Sequence, residues 1–320
     1  MKLQNVATIL SVLALVFFSG CSKTRVDQKP SERSDATVVV LGYLPITHAL
    51  TIFQEKETLD SEGAPIVIKL QKFSSWSDLT DALNAGSIDG ASVLIELAMS
   101  AKSKGIDLKA VALGHKDGNV VVVSSKIKDA SELKGKTLAI PSTQSSHNIL
   151  LQEALAQANL TLNDVQVVQL SPTEMPFSLA SGSIDGYCVA EPFGAQAVSQ
   201  GFGRVLYYSE DLWKDSLCCG LVLNQKAIDS LGEEKVALLV KKYYEAGDAL
   251  DSDAALDVAK RYLGQNPEIL KTSLQWIQYE DLRITEEAYQ ALVDKVKEYG
   301  VNDNPPSYED FVYQPKTAED

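Results

Sequence analysis

The stretch Leu83-Asn84-Ala85-Gly86-Ser87-Ile88-Asp89-Gly90 returns later in the chain as Leu179-Ala180-Ser181-Gly182-Ser183-Ile184-Asp185-Gly186. Its surroundings return with it. The first copy follows an apolar run (Val38 to Leu41), a polar loop holding His48, a helical stretch, a second apolar run (Pro65 to Leu70) and a Ser-rich loop with Trp76. The second follows Thr137 to Ile140, a loop holding His147, a helical stretch, Val165 to Leu170 and Ser171-Pro172-Thr173. Apolar runs of strand length separated by helical stretches imply parallel βαβ units. The chain therefore reads as two versions of one α/β unit. Two such lobes put a cleft between them, where strand ends and helix starts from both sides face a small ligand.

The 320 residues suit two compact lobes, and an apolar share of 45% is enough to fill two cores. A net charge of −14 argues against a nucleic-acid surface and against adhesion to anionic lipid. At the start, Lys2 precedes an apolar run from Val6 to Phe18, which ends in Ser19-Gly20-Cys21. That run is short for a membrane span and reads as a secretory signal over residues 1–20. A cysteine directly after small residues resembles a bacterial lipobox, so Cys21 is the expected lipid-modified N-terminus of an exported chain. Residues 21–35 read as a flexible polar tether. Of the other cysteines, Cys188, Cys218 and Cys219 form an odd set that leaves at least one thiol free. Adjacent cysteines bond to each other only with strain, and all three read as small buried residues.

Along the chain, residues 36–115 form the first part of lobe I and 116–222 form lobe II with the crossing strands. Residues 223–320 return to lobe I. A helix is expected from Val93 to Met99, and the turn-rich loop from Gly114 to Asn119 is placed as the first crossing. Helical spacing is clear over Lys235–Ala249, Ala254–Leu263 and Ile284–Tyr299. These helices are expected to pack on the first lobe. The tail after Asn304-Pro305-Pro306 carries little structural signal.

Candidate binding residues cluster in loops at the starts of helices, where unpaired N–H groups favour electronegative ligands. In lobe II these are Ser142, Thr143, Gln144, Ser145 and His147. In lobe I they are Tyr43, Thr47 and His48. Ser75 and Trp76 offer an aromatic wall, and His115 lies in the crossing loop. The three histidines and Glu191 lack close ligand spacings such as His-x-His, so no metal and no other cofactor is expected. Glu96, among apolar residues at a helix start, reads as a first-turn charge. There is no Gly-x-Ser-x-Gly elbow, phosphate loop, dinucleotide fingerprint or His-Glu-x-x-His, so the chain is not expected to be an enzyme.

Gly42-Tyr43-Leu44-Pro45-Ile46-Thr47-His48, Leu133-Lys134-Gly135-Lys136 with Ile140-Pro141-Ser142, and Asp185-Gly186-Tyr187-Cys188-Val189-Ala190-Glu191-Pro192-Phe193 resemble a known family over residues 37–225. They are similar to the substrate-binding proteins of ABC importers for nitrate, bicarbonate, alkanesulfonates and taurine, a group that includes binders of thiamine pyrimidine precursors. The resemblance implies a type II periplasmic-binding-protein fold, with two lobes, two crossing segments and hinge closure on ligand. It implies a monomer that delivers a small molecule to a membrane permease/ATPase complex. It also adds Leu44, Tyr187 and Glu191 to the contact residues. With no arginine in these loops, a nitrate- or sulfonate-like oxyanion would be held by hydroxyls, amides and helix ends. Glu191 suits an amino group better, so a pyrimidine precursor stays open as the alternative. Enzymes on the same fold, among them the eukaryotic pyrimidine synthases with their cysteine-rich stretch, are the more distant reading.

Overall fold

A computed structural model describes residues 36–214 and 216–313. The signal segment and Cys21 lie outside the described residues. The first half of the chain runs β1 (Thr37–Tyr43), α1 (Leu50–Glu62), β2 (Ile66–Lys72), α2 (Trp76–Asn84), β3 (Gly90–Leu94), α3 (Ile95–Ser103) and β4 (Leu108–Leu113). It crosses through β5 (Lys116–Asp117) into β6 (Asn119–Ser124), then continues as β7 (Thr137–Ile140), α4 (Ser146–Ala156), β8 (Gln166–Gln169), α5 (Met175–Ser181) and β9 (Gly186–Ala190). After α6 (Phe193–Ser199), β10 (Gly203–Tyr208) and α7 (Ser209–Leu212) comes β11 (Cys219–Asn224). The rest is α8 (Gln225–Leu231), α9 (Glu233–Asp248), α10 (Ser252–Tyr262), α11 (Pro267–Ser273), β12 (Ile277–Gln278), α12 (Glu286–Glu298) and α13 (Tyr308–Phe311).

Two five-stranded sheets result, in the orders β2-β1-β3-β11-β4 and β8-β7-β9-β6-β10. Each has parallel strands from one βαβαβ unit and an antiparallel inserted strand, β11 in the first and β6 in the second. The repeated octapeptide explains this likeness. In the first unit the Asp89 carboxylate accepts from Val40 N at 2.8 Å, while Asp89 N donates to Val40 O at 2.9 Å. In the second, the Asp185 carboxylate accepts from Thr137 N at 2.9 Å and Asp185 N donates to Thr137 O at 2.8 Å. One side chain thus ties the third strand of each unit to its first strand, twice, in the same register. The glycine that follows is required by close approach. A Cβ on Gly90 would lie 2.7 Å from Val222 O, and one on Gly186 would lie 2.8 Å from Val122 O, in the inserted strand of each sheet.

The structure departs from the sequence reading in three places. Residues Val93 and Leu94 belong to β3, and the helix starts at Ile95, because the apolar run is a fully buried strand feeding directly into a buried helix. The tail is anchored: Phe311 is buried, Val312 bridges to Ala110, and Tyr313 N donates to Ala110 O at 2.9 Å. The C-terminal helices pack on α1 and also reach the second sheet's helices. Helix α11 packs on α6, and α12 packs on α4. There Lys295 pairs with Glu153, and Gln152 Nε2 donates to Tyr299 O at 3.3 Å. β12 pairs antiparallel with β5 in the first crossing. The C-terminal region is therefore a third connection between the two lobes.

Candidate functional site

Two distinct places lie where the lobes meet: an open cleft and a sealed polar pit. The cleft has a volume of about 460 Å³. Ser75, Trp76 and Thr80 line it from the first lobe, and Ser142, Gln169, Ser171 and the Glu174 carboxylate, which accepts from Ser171 N and Oγ, from the second. Its hydroxyls are partly committed. Ser75 caps α2 by accepting from Asp78 N at 3.1 Å, and Ser142 Oγ accepts from Gln144 N at 3.1 Å. Trp76 is buried against helix and cleft wall, with its Nε1 unpartnered.

The pit is built on the loop after β1. Pro45 leads into a 3-10 turn over Thr47–Ala49 that carries His48 inward, fully buried. Thr47 N and Oγ1 both donate to Glu191 O, at 2.9 and 3.0 Å, so this loop is latched onto the second lobe. His48 Nε2 lies 3.0 Å from Gly118 O. A carbonyl only accepts, so Nε2 carries a proton and Nδ1 is the ring nitrogen left to face other groups. That Nδ1 faces two thiols, Cys218 Sγ at 3.7 Å and Cys219 Sγ at 3.6 Å. The two sulfurs are 3.8 Å apart, far beyond a disulfide, and both cysteines are free. The His115 ring tilts against His48 with centroids 3.5 Å apart.

Around this core lie polar groups with no good partner among the described residues. Both ring nitrogens of His147 are buried without a hydrogen bond. His115 and Glu96 have Cys218 and Ser146 beside them but make no well-formed bond. Burial pulls His147 down to about 4, and burial with the neighbouring His48 does the same to His115. Burial, and then the charge of Cys218, holds the Glu96 carboxyl well above its usual range. Burial alone would push the Cys218 thiol up. The Cys219 thiol and the imidazoles of His147, His115 and His48 outweigh it, so Cys218 lies well below the ordinary thiol value. Cys219 is pushed up by burial and by Cys218, so the two thiols lose their protons as one coupled pair. Native proteins seldom leave so many buried polar atoms unpaired in one spot, and such a concentration calls for a missing partner.

The expected site residues divide accordingly. His48 and His115 meet in the pit, with His147 beside them and Thr47 and Glu191 on its rim, while Ser75, Trp76 and Ser142 line the cleft. Thr143 and Ser145 brace their own lobe, and Gln144 bridges to the other. Thr143 N donates to Gln169 Oε1 at 3.1 Å, Gln144 Nε2 reaches Ser100 Oγ of the first lobe at 3.2 Å, and Ser145 Oγ donates to Ser142 O at 2.7 Å. Tyr43 packs edge-on against Phe53 at 4.9 Å, Leu44 is buried in the core, and Tyr187 OH donates to Phe193 O at 2.8 Å. Cys218, Cys219 and Glu96 read in sequence as buried or capping residues; the structure puts Cys218 and Cys219 at the centre of the pit. Only the adjacency of the two cysteines, and an acid inside an apolar run, pointed to them.

A family model described as the NMT1-like family matches residues 32–263. Among curated relatives, the nitrate import ATP-binding protein NrtC of Synechocystis is 27% identical over 74% of this chain and 38% of its own length. A putative aliphatic sulfonates-binding protein of Escherichia coli is 30% identical over 54% of this chain and 55% of its own. The chain thus spans only part of the length of these relatives. Among solved structures, the ligand-binding component of an ABC-type import system from Staphylococcus aureus, determined with zinc bound, is 37% identical, with a TM-score of 0.83 over 87% of this chain and 96% of that one. The sulphonate-binding protein SsuA of E. coli, at 22% identity, shares the fold with a TM-score of 0.72 over 88% and 94%. The homologues include substrate-binding components of ABC importers for nitrate and sulfonates, and this chain belongs to the NMT1-like family.

Proposed function

We propose that the chain is the exported solute-binding component of an ABC importer, anchored through a lipid on Cys21, that closes by hinge motion on a small cargo held between its lobes. It binds and delivers, and performs no catalysis. The observation that carries this reading is the convergence of equivalent loops from two copies of one α/β unit. The loop after β1 brings His48, and the loop after β7 leads to His147, each at the start of a helix. Thr47 latches one lobe to Glu191 of the other. Contacts of this kind form when the lobes approach and are lost when they part.

Two cargo chemistries have support. The cleft, with Ser75, Thr80 and Ser142 hydroxyls beside the Trp76 ring, suits a nitrate- or sulfonate-like oxyanion such as the relatives carry. The pit suits a cation, since it offers thiols, imidazoles and a buried carboxyl and none of its named residues is Lys or Arg. The zinc of the S. aureus relative supports that second reading. The test is a thermal-shift panel on the mature chain from Ser22, with nitrate, bicarbonate, taurine, longer alkanesulfonates and divalent metals. A ligand with micromolar affinity at millimolar concentration adds about 4 kcal/mol of stability. For an oxyanion in the cleft, Ser142→Ala with Thr143→Ala weakens binding by about 0.5–1.5 kcal/mol per lost bond. A folded chain that no member of the panel stabilises refutes the cargo classes.

A further inference from the structure

We infer that His48, His115, Cys218 and Cys219 form a tetrahedral site for a thiophilic metal ion, with Zn2+ as its first candidate. One imidazole nitrogen or sulfur from each of these four buried residues lies within 4.8 Å of all the others. The known edges of the polyhedron agree with zinc bond lengths. Bonds of about 2.3 Å to sulfur and about 2.05 Å to nitrogen, at tetrahedral angles, give an S–S edge of about 3.8 Å and an N–S edge of about 3.6 Å. The observed values are 3.8 Å for Cys218–Cys219, and 3.7 and 3.6 Å for His48 Nδ1 to the two sulfurs. A set of two thiolates and two imidazoles selects Zn2+ or Cu+ over the oxygen-loving Mg2+ and Ca2+.

The surroundings are those of a metal centre as well. His48 presents Nδ1 because its Nε2–H is held by the Gly118 carbonyl, the backing that fixes tautomer and aim in metal-bound imidazoles. Gly118 is held in a left-handed turn with φ of 82°, and a Cβ there would lie 2.8 Å from Ile277 Cδ1 and 3.1 Å from His48 Nε2, so a glycine favours this approach of the carbonyl to the ring. The Cys218 S–H donates to Asn119 Oδ1 at 3.8 Å, a contact given up when that thiol loses its proton to a metal.

The ligands come from three parts of the chain: the first lobe's loop (His48), the first crossing (His115), and the second crossing with the strand it enters (Cys218, Cys219). All four are sealed from solvent. An ion therefore enters only when the lobes separate, and its binding draws both crossings onto the first lobe. That role as cargo rests on the receptor reading above, whereas the coordination site stands without it.

The test is a titration of the reduced, metal-free chain from Ser22 with Co2+, followed by displacement with Zn2+. The expected result is one equivalent bound, with intense visible bands of tetrahedral cobalt and sulfur-to-cobalt charge transfer in the near ultraviolet. Cys218→Ser and Cys219→Ser each reduce the charge transfer, and each weakens Zn2+ binding by more than ~100-fold, beyond what outer-shell changes cost. His115→Gln, which leaves both thiols in place, keeps part of the charge transfer while weakening affinity. If a serine variant does not fold, by circular dichroism, the wild-type cobalt spectrum decides alone. An octahedral, sulfur-free spectrum on folded wild-type chain overturns the site, as does unchanged Zn2+ affinity in both folded serine variants. A thermal shift with an alkanesulfonate on the same metal-free sample keeps the receptor reading standing when the metal result is negative.

Discussion

The cleft and the pit lie at the same junction and are built on opposite principles. In the cleft, hydroxyls face open space and spend part of their bonding on their own loops. Such a surface adapts to solutes of different shape. In the pit, side chains sealed from bulk solvent face one another, and several have no partner among the described residues. A buried polar group without a partner costs about 1–3 kcal/mol, so the pit lowers the stability of the ligand-free chain. The lesson is that one fold can carry both a tolerant site and a demanding one, separated by what each does with its polar atoms.

The largest effect expected from breaking this contrast is at the cleft wall. Trp76→Ala removes a buried indole and destabilises by about 3–5 kcal/mol, whereas Trp76→Phe, losing an N–H that bonds to nothing, costs about 1 kcal/mol. Chemical denaturation of both variants checks the pair. Equal losses would show that the indole nitrogen is engaged.

Next comes Glu191 on the pit's rim. Burial pushes its carboxyl up to about 8, against the lowering effect of Ala195 and Gly194 N–H groups. A carboxyl whose folded value is raised gives stability that is full below its unfolded value, about 4.3, and is lost as pH rises toward 8. Within that window the slope is about 1.4 kcal/mol per pH unit for one proton. Glu191→Gln removes that proton's share, so unfolding free energies from pH 5 to 8 fall less steeply in the variant. Parallel slopes would mean that Glu191 is ionised in the native state.

His147→Leu sharpens the comparison by its sign. Replacing an unpartnered buried imidazole with an apolar side chain of similar volume raises the stability of the metal-free chain by about 1–2 kcal/mol. A calorimetric melt in chelator measures this, and a lowered midpoint would show that the imidazole already has a partner. The smallest effect is expected at the C-terminal strap. There Lys295 pairs with Glu153 and lies 5.1 Å from the Tyr299 ring centroid. Lys295→Met costs about 0.5–1 kcal/mol and leaves both sites unaltered; a larger loss in a double-mutant cycle with Glu153→Gln would make the strap a main support of the closed arrangement.

Much of the fold was legible because its signals are local. The repeat carries strand, turn and helix in the same order twice, and Asp89 and Asp185 make their clamps within one unit. The cleft was partly legible for the same reason: Ser75 and Trp76 sit at a helix start that the sequence marks. The pit was not. His48 and Cys218 are distant in sequence and meet only through the crossings, so no short ligand spacing exists to be read. The tail escaped for a related reason, since Phe311 and Val312 gain their order from β4 and not from their neighbours in sequence.

The placement of β11 has a consequence for how the molecule comes into being. The second sheet is made of strands between Asn119 and Tyr208, contiguous along the chain, so it can form as soon as that stretch is available. The first sheet has a gap between β3 and β4 until Cys219–Asn224 arrives to fill it. Pairings between distant segments are the slow ones. The second lobe is therefore expected to fold first and the first lobe to close around a late inner strand. That strand begins with Cys219 and follows Cys218, so the sulfur-bearing pocket is assembled only after the second lobe's strands are in place.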